Sequence, residues 1–405
     1  VRVLIVGAGI GGLTTALSLH AAGIDVQVID RVPRLRPLGV GINLLPHATG
    51  ALAELGLHEA LAARAVATSE LVHYDRLGNE IWREPRGLAA GHPWPQYSVH
   101  RGRLQSLLLD AVHERLGPDA VRTGCRFVAA TEEDRQVRVT VDEHGGDTSI
   151  EFTADAVIGA DGLHSAVRAH LYPDEGPPRW NGIRMWRGVA PAAPFLTGTS
   201  MLMAGSNHAA KLVAYPLGAA RPGSAEVLVN WVAEVRMPQD TQGEAEWTHT
   251  GRVGDVTPHY RGWRIAGLDV AALLAASETV LEYPMVDRDP LPRWSFGRIT
   301  LLGDAAHPMY PVGSNGGSQA ILDARAVAAE LARTGDPVAG LAAYESARRD
   351  TANSVVLANR DIPMDHALRM VAERAPEGFD RIEDVLTTEE LRAITEGYRR
   401  TSAVR

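Results

Sequence analysis

The spacing of apolar residues switches between strand and helix periods along this chain, which predicts a mixed α/β protein. Val1 to Val6 is apolar apart from Arg2, as a strand buried on both faces requires. Leu13 to Ala22 repeats at helical spacing until Gly23 stops it, and Val26 to Ile29 is a second strand ending at Asp30. Arg31 to Arg36 reads as a basic loop, Leu38 to Asn43 as a Gly-rich connector, and Thr49 to Leu57 as a short helix closed by Gly56. A hairpin is predicted over Leu71 to Trp82, and a strand leading into a helix over Tyr97 to Gly117. Ala120 to Val141 alternates as strands with a turn at Gly145-Gly146, and Ala156 to Ile158 is a further strand. Separate strands rich in Trp, Tyr, Val and Met fill Ile183 to Val235, as in an antiparallel sheet. An apolar strand begins at Arg298, a long helix at about Ser318, and Val338 to Arg405 is mainly helical.

The opening segment carries Gly7, Gly9 and Gly12 as G-x-G-x-x-G between the first strand and the first helix. An acid, Asp30, follows about twenty residues on. This is the βαβ dinucleotide-binding unit in its required context. Gly7 permits the tight turn, Gly9 lets the backbone approach a diphosphate, and Gly12 lets helix and strand pack closely. The helix N-terminus favours the anion, and Asp30 can accept a hydrogen bond from a ribose. The nucleotide-binding layers come from separated pieces: residues 1–70, 100–171 and 285–360 form a Rossmann-like domain. Residues 71–99 and 172–284 form a β-rich substrate domain, and 361–405 are C-terminal helices.

Composition narrows the function classes. The chain has 405 residues and a net charge of -9, which argues against a nucleic-acid partner. Cys125 is the one cysteine, so an intrachain disulfide and a cysteine metal cluster are excluded. No metal site is expected, since His164, His208 and His307 lack ligand spacing. No apolar run reaches membrane-span length. A reducing cytoplasm is the expected compartment, although residue 1 already lies inside a strand.

Pro311 to Gly317 makes a second glycine-rich nest before a helix. Its N–H groups can point at an anion, including the pyrimidine edge of a reduced flavin. Asp304, after a buried strand, can bind a ribityl chain. Arg101, at a strand-to-helix junction, can meet phosphate or ribityl oxygens; a solvated arginine is the alternative.

These motifs stand in the order of the group A flavoprotein monooxygenases, the para-hydroxybenzoate hydroxylase family, which the chain resembles over nearly its whole length. The matching residues are Gly7 to Gly12, Asp161-Gly162 with Ser165 and Arg168, and Gly303-Asp304 with Pro311. Segments such as RPLGVGIN, PQYSVHRG and YPMVDRDPLP are most similar to the branch that hydroxylates phenazine carboxylates, 5-methylphenazine-1-carboxylate in pyocyanin synthesis. The resemblance implies a glutathione-reductase-type FAD-binding domain. Gly7, Gly9, Ile10, Gly11 and Gly12 would hold the diphosphate, and Asp30 with Arg31 would face the ribose. Arg36 and Gly41 would lie along FAD, Arg101 would contact it, and Val128 would meet the adenine through its backbone. Asp161 would serve both FAD and NAD(P)H, Asp304 would bind FAD oxygens, and Gly313, Gly316 and Gly317 would face the isoalloxazine.

The implied reaction is hydroxylation of a phenazine- or salicylate-like aromatic carboxylate, with decarboxylation as a sub-hypothesis. NADH or NADPH reduces FAD, and O₂ gives a flavin 4a-hydroperoxide whose distal oxygen the aromatic carbon attacks. Arg187 and Tyr215 are the candidates for pairing a carboxylate and orienting the ring. Trp186, Met203, Trp231, Pro311 and Val312 are candidate lining residues. Core packing is the competing reading for Trp186, Met203 and Trp231, and a bridge between layers for Arg187. An FAD-dependent oxidase or reductase, or an epoxidase or ring-opening oxygenase on another aromatic, is the alternative activity. The expected partner is a small aromatic, with the protein a monomer or homodimer.

Overall fold

The computed structural model describes the chain apart from residues 38, 144, 146–147, 222, 239–248, 361–362 and 393–405. The βαβ unit forms as its pattern predicts: strand Arg2–Val6, helix Ile10–Ala21, strand Asp25–Asp30. It sits in a six-stranded sheet ordered Ser295–Phe296, Ile299–Leu301, Ala156–Gly159, Arg2–Val6, Asp25–Asp30, Val121–Thr123. The internal pairs are parallel, and the Ser295–Phe296 edge is antiparallel. Its central strand buries Val3, Leu4, Ile5 and Val6 between helices on both faces, which is why that stretch is continuously apolar.

An eight-stranded sheet forms the second layer. Its middle is antiparallel: Val280–Asp287, Arg179–Ala192, Val227–Arg236, Ala210–Ala219 and Ser200–Gly205. The predicted hairpin, Glu70–Tyr74 with Glu80–Pro85, completes one edge and joins Ser200–Gly205 in parallel. Gln96–His100 lies elsewhere, in a three-stranded sheet between Gly41–Leu44 and Ala65–Thr68.

Several elements depart from the sequence reading for local reasons. The Gly-rich connector ends in a true strand, Gly41–Leu44, because its backbone pairs with Tyr97 to His100. The 120–141 region divides: Val121–Thr123 joins the large parallel sheet, while Cys125–Glu133 starts a separate meander with Gln136–Glu143 and Thr148–Ala154. Gly146 of the expected turn lies outside the described residues. The late helix starts at Asn315, three residues before the expected Ser318. Pro337–Arg360 and Pro363–Arg374 follow as helices, and the chain beyond residue 392 lies outside the described residues.

Strand alternation gives the eight-stranded sheet two different faces. One packs a core with Val72, Trp186, Leu212, Trp231 and Tyr260. The other carries Met185, Met201, Val213, Tyr215 and Val232 toward the parallel-sheet domain and Leu368 and Val371 of the C-terminal helix. This second face is where the site forms.

Candidate active site

Gly12 lies so close to the first turn that a Cβ there would sit 1.9 Å from the Gly7 carbonyl oxygen. The helix can therefore dock on its strand only without a side chain at this position. Gly9, extended and capping the helix without a side-chain bond, has open space where its Cβ would stand. The helix N-terminus thus presents free N–H groups to a cavity of about 440 Å³. Gly7, Gly9, Asp30, Arg31, Arg101 and Asp161 all line it. Asp30 is already engaged, accepting from the Ala8 amide at 2.7 Å and the Val32 amide at 2.9 Å. It braces the glycine turn while keeping its place at the cavity wall.

Two residues expected along the cofactor line neither of the two cavities. Val128 is 43% exposed on its strand, and the cavity wall there is made by Cys125, Arg126 and Phe127. Arg36 is exposed and lines neither cavity.

A second cavity, of about 340 Å³, runs from the glycine turn to the eight-stranded sheet. Gly9, Ile10, Gly11, Gly41, Arg101 and Asp304 line its nucleotide side, so Arg101 borders both cavities. Pro311 and Ser314 to Gly317 form another wall. Ser314 has φ 61 and no side-chain cap, leaving the N–H groups of Asn315, Gly316 and Gly317 at the start of a 20-residue helix. Val312 packs beside the core that includes Tyr215, and neither it nor Gly313 lines the cavity.

The Asp304 loop is held by an assembly that pattern reading missed. Asp323, fully buried, accepts from the Gly303 amide at 3.1 Å, from His307 Nε2 at 2.5 Å and from Arg348 Nε at 2.8 Å. Burial alone would raise the Asp323 carboxyl, but His307 and Arg348 outweigh it and hold the group below the usual carboxylate range. Its spacing from Asp304 along the chain carries no signal, since the contact depends on a helix folding back.

Asp161 is also bonded to the chain around it, but with the opposite balance. Its carboxylate accepts from Ser165 Oγ at 2.5 Å and from the Ala166 amide at 2.7 Å, capping the short helix Ala166–Leu171. Burial raises its pKa against these bonds. Arg168, on the same helix, donates to the Ala305 and Ala306 carbonyls at 3.0 and 2.9 Å. The Asp161-Gly162 and Gly303-Asp304 segments are thereby fastened together.

On the substrate sheet, Arg187, Met201, Val213, Tyr215, Val232 and Glu234 reach the second cavity. Trp186 and Trp231 do not. Each is the strand neighbour of a cavity-facing residue, so side-chain alternation sends it to the opposite face. Trp186 Nε1 donates to Glu282 at 3.0 Å and Trp231 Nε1 to Ser277 at 2.7 Å, within the reverse-side core. Met203 is on the correct face but one step beyond the lining, where Met201 stands instead.

Arg187 Nη2 donates to the Gly41 carbonyl at 2.8 Å, and the Gly41 amide donates to Asn230 Oδ1 at 2.6 Å. Arg187 Nε remains buried without a hydrogen-bond partner. Tyr215 is buried beside Arg187 and Asn43, and burial raises its hydroxyl pKa. Asn43 and Asn230 went unnoticed in the sequence because their role depends on contact between the two domains.

Two helix-N-terminal cradles joined by a continuous cavity, and facing an apolar sheet with a half-buried arginine, define a flavoprotein with its substrate space beside the cofactor. The open Gly9 and Ser314 to Gly317 backbones and the unengaged arginine donor suit FAD and a bound anion. The family model described as FAD binding domain matches residues 1–359. The chain is 50% identical over 400 residues to phenazine 1,6-dicarboxylic acid hydroxylase PhzS of Lysobacter antibioticus, covering 98% of this chain and 96% of the relative. It is 34% identical over 359 residues to 3-hydroxybenzoate 6-hydroxylase 1 of Aquipseudomonas alcaligenes, covering 86% and 84%. The crystal structure of Klebsiella pneumoniae HpxO complexed with FAD and uric acid superposes with a TM-score of 0.79 at 24% identity, covering 98% and 96%.

The chain belongs to the FAD-binding-domain family of group A flavoprotein monooxygenases. It is a single-component, FAD-dependent aromatic monooxygenase. No helix among the described residues is long and apolar enough to cross a membrane.

Proposed function

We propose that this protein hydroxylates a phenazine-type aromatic carboxylate, using NADH or NADPH and O₂. The observation that carries the substrate class is the 50% identity to a phenazine dicarboxylate hydroxylase along nearly the entire chain. The cavity between Pro311 and the apolar residues Met201, Val213 and Val232 supports the same reading.

Bound FAD, reduced by the nicotinamide, supplies the activated oxygen that the aromatic carbon takes up. Gly7, Gly9, Ile10, Gly11 and Gly12 hold its diphosphate, Asp30 and Arg31 its ribose side, and Arg101 and Asp304 its ribityl side. Asp161 acts here by fixing the neighbouring loop. Gly316 and Gly317, with Gly313 shaping the turn, offer N–H groups to the isoalloxazine edge. Arg187 pairs the substrate carboxylate through its unengaged Nε, and Tyr215 orients the ring. Apolar walls from Met201, Val213 and Val232 exclude water from the reacting carbon.

The protein works on a small aromatic in the cytoplasm, as a monomer or homodimer, without nucleic acid. The test is product analysis: purified enzyme with NAD(P)H is given phenazine-1-carboxylate, its 1,6-dicarboxylate, its N-methyl form and salicylate. A hydroxylated phenazine, with or without loss of carbon dioxide, supports the reading. Hydroxylation of salicylate alone would overturn it.

A further inference from the structure

The cavity-facing side of the eight-stranded sheet carries a buried ion pair. Lys211 Nζ lies 3.1 Å from Glu234 Oε2, with side chains 4% and 5% exposed. The two residues are register partners on the strands Ala210–Ala219 and Val227–Arg236. Asn230, Val232 and Glu234 share one face of the second strand because side chains alternate. Asn230 grips the Gly41 amide, and Glu234 lines the same cavity further along. From Asn230 to Glu234 the extended chain advances about 13 Å, the scale of a fused tricyclic ring with substituents.

The substrate space is therefore oppositely charged along its length. The Arg187 guanidinium stands beside Gly41, and the Glu234 carboxylate stands one register step beyond Val232. Met201, Val213 and Val232 make the cavity wall apolar between them. Lys211 is not among the lining residues, so the carboxylate is the charge that a ligand meets. Glu234 Oε2 is held against the Lys211 ammonium at 3.1 Å, and the carboxylate still borders the cavity. A carboxylate at a cavity wall has lone pairs enough to serve its ammonium partner and accept from a ligand donor as well.

We infer that Glu234 is a specificity-determining positioning residue, accepting a hydrogen bond from the end of the aromatic substrate remote from Arg187. The site then takes an aromatic acid that is anionic at one end and carries an uncharged donor or a cation at the other. A second ionised carboxylate would lie against Glu234 as like charge against like. A protonated carboxyl or a carboxamide donates to it, and a cationic alkylated ring nitrogen meets it by charge alone. Discrimination here comes from repulsion of the wrong partner as much as from attraction of the right one. The inference rests on the reading of the protein as a hydroxylase of aromatic carboxylates.

The test compares binding of phenazine-1,6-dicarboxylate and its monoamide to the FAD-loaded enzyme, followed by perturbation of the flavin spectrum. The wild-type protein is expected to bind the monoamide at least about tenfold more tightly at neutral pH. Glu234→Gln should bring the two affinities together, mainly by tightening the dicarboxylate. In turnover, the variant should move KM for the two compounds in opposite directions and leave FAD content intact. Equal wild-type affinities, or a ratio unchanged by Glu234→Gln, would overturn the inference; the wild-type arm decides even where the variant folds poorly. If no aromatic acid binds at all, the substrate-class reading falls and takes this inference with it. If they bind without discrimination, the inference alone falls.

Discussion

Arg187 and Gly41, 146 residues apart, are joined by a 2.8 Å hydrogen bond from the guanidinium to the peptide carbonyl. Asn230 takes the amide of the same glycine, so both polar groups of Gly41 are spent on the opposing sheet. The two domains meet at this peptide, and the cavity opens directly beside it. One arginine therefore serves two ends: it locks the layers together and retains a buried donor for a ligand.

Gly41→Ala should loosen this joint. A Cβ would lie 2.7 Å from Asn230 and from the Tyr215 ring, closer than either can tolerate. Overpacking of this kind costs about 1–3 kcal/mol. A lowered Tm and weaker FAD retention are expected, read by thermal melts and by flavin fluorescence after gel filtration.

Arg187→Met should separate charge recognition from catalysis. KM for a carboxylated substrate is expected to rise by about 10- to 100-fold, as when one partner of a buried charge pair is truncated. Its uncharged amide analogue should be affected far less. Steady-state kinetics on the matched pair give the comparison, and equal losses for both would assign Arg187 to layer bridging alone.

Trp231→Ala should damage stability without reshaping the substrate space. The ring is fully buried on the reverse face of the sheet. A loss of about 3–5 kcal/mol is expected for such a truncation. Denaturant melts measure the loss, while KM in the folded fraction stays near its wild-type value. Met201→Ala should give the opposite pattern, because Met201 lines the cavity.

Acid should weaken the protein in two windows. Burial lowers His47 to about 4 and His73 to about 3, from an ordinary 6.5. The unfolded chain therefore binds protons that the folded chain refuses, and stability falls as pH drops below 6.5 toward those values. Asp323 acts lower: its folded pKa is depressed, so its contribution is present above the ordinary value of 3.8 and is lost below it. Melting temperatures across pH 3–7 should show both limbs, and Asp323→Asn should lower the neutral plateau while flattening the lower one. An unchanged profile in that variant would contradict the role of the His307–Asp323–Arg348 assembly.

The sequence made the nucleotide end plain because its chemistry is local. Gly7 to Gly12 and Asp30 act within one βαβ unit, and strand and helix periods mark its edges directly. The substrate end was only partly legible. Arg187 and Tyr215 do reach the cavity, but the strand parity of Trp186 and Trp231 sends both to the reverse core. Parity counted from Tyr215 points to Val213, whereas Val232 joins them only through the register that sets it opposite Arg187 and Val213. Asn43, Asn230 and Asp323 were beyond reach, because their partners Tyr215, Gly41 and Gly303 come from other parts of the fold.

The central claim is that this cavity couples nicotinamide oxidation to oxygenation of an aromatic carboxylate, and one measurement tests it most directly. NADH and NADPH oxidation is followed in the FAD-loaded enzyme, with and without phenazine carboxylates, while hydrogen peroxide is assayed in the same reaction. The account predicts that a phenazine carboxylate accelerates oxidation many-fold and that peroxide stays low, the reducing equivalents appearing as hydroxylated product. A rate that ignores every aromatic, or reducing equivalents recovered wholly as peroxide, would contradict it and favour an oxidase on the same fold.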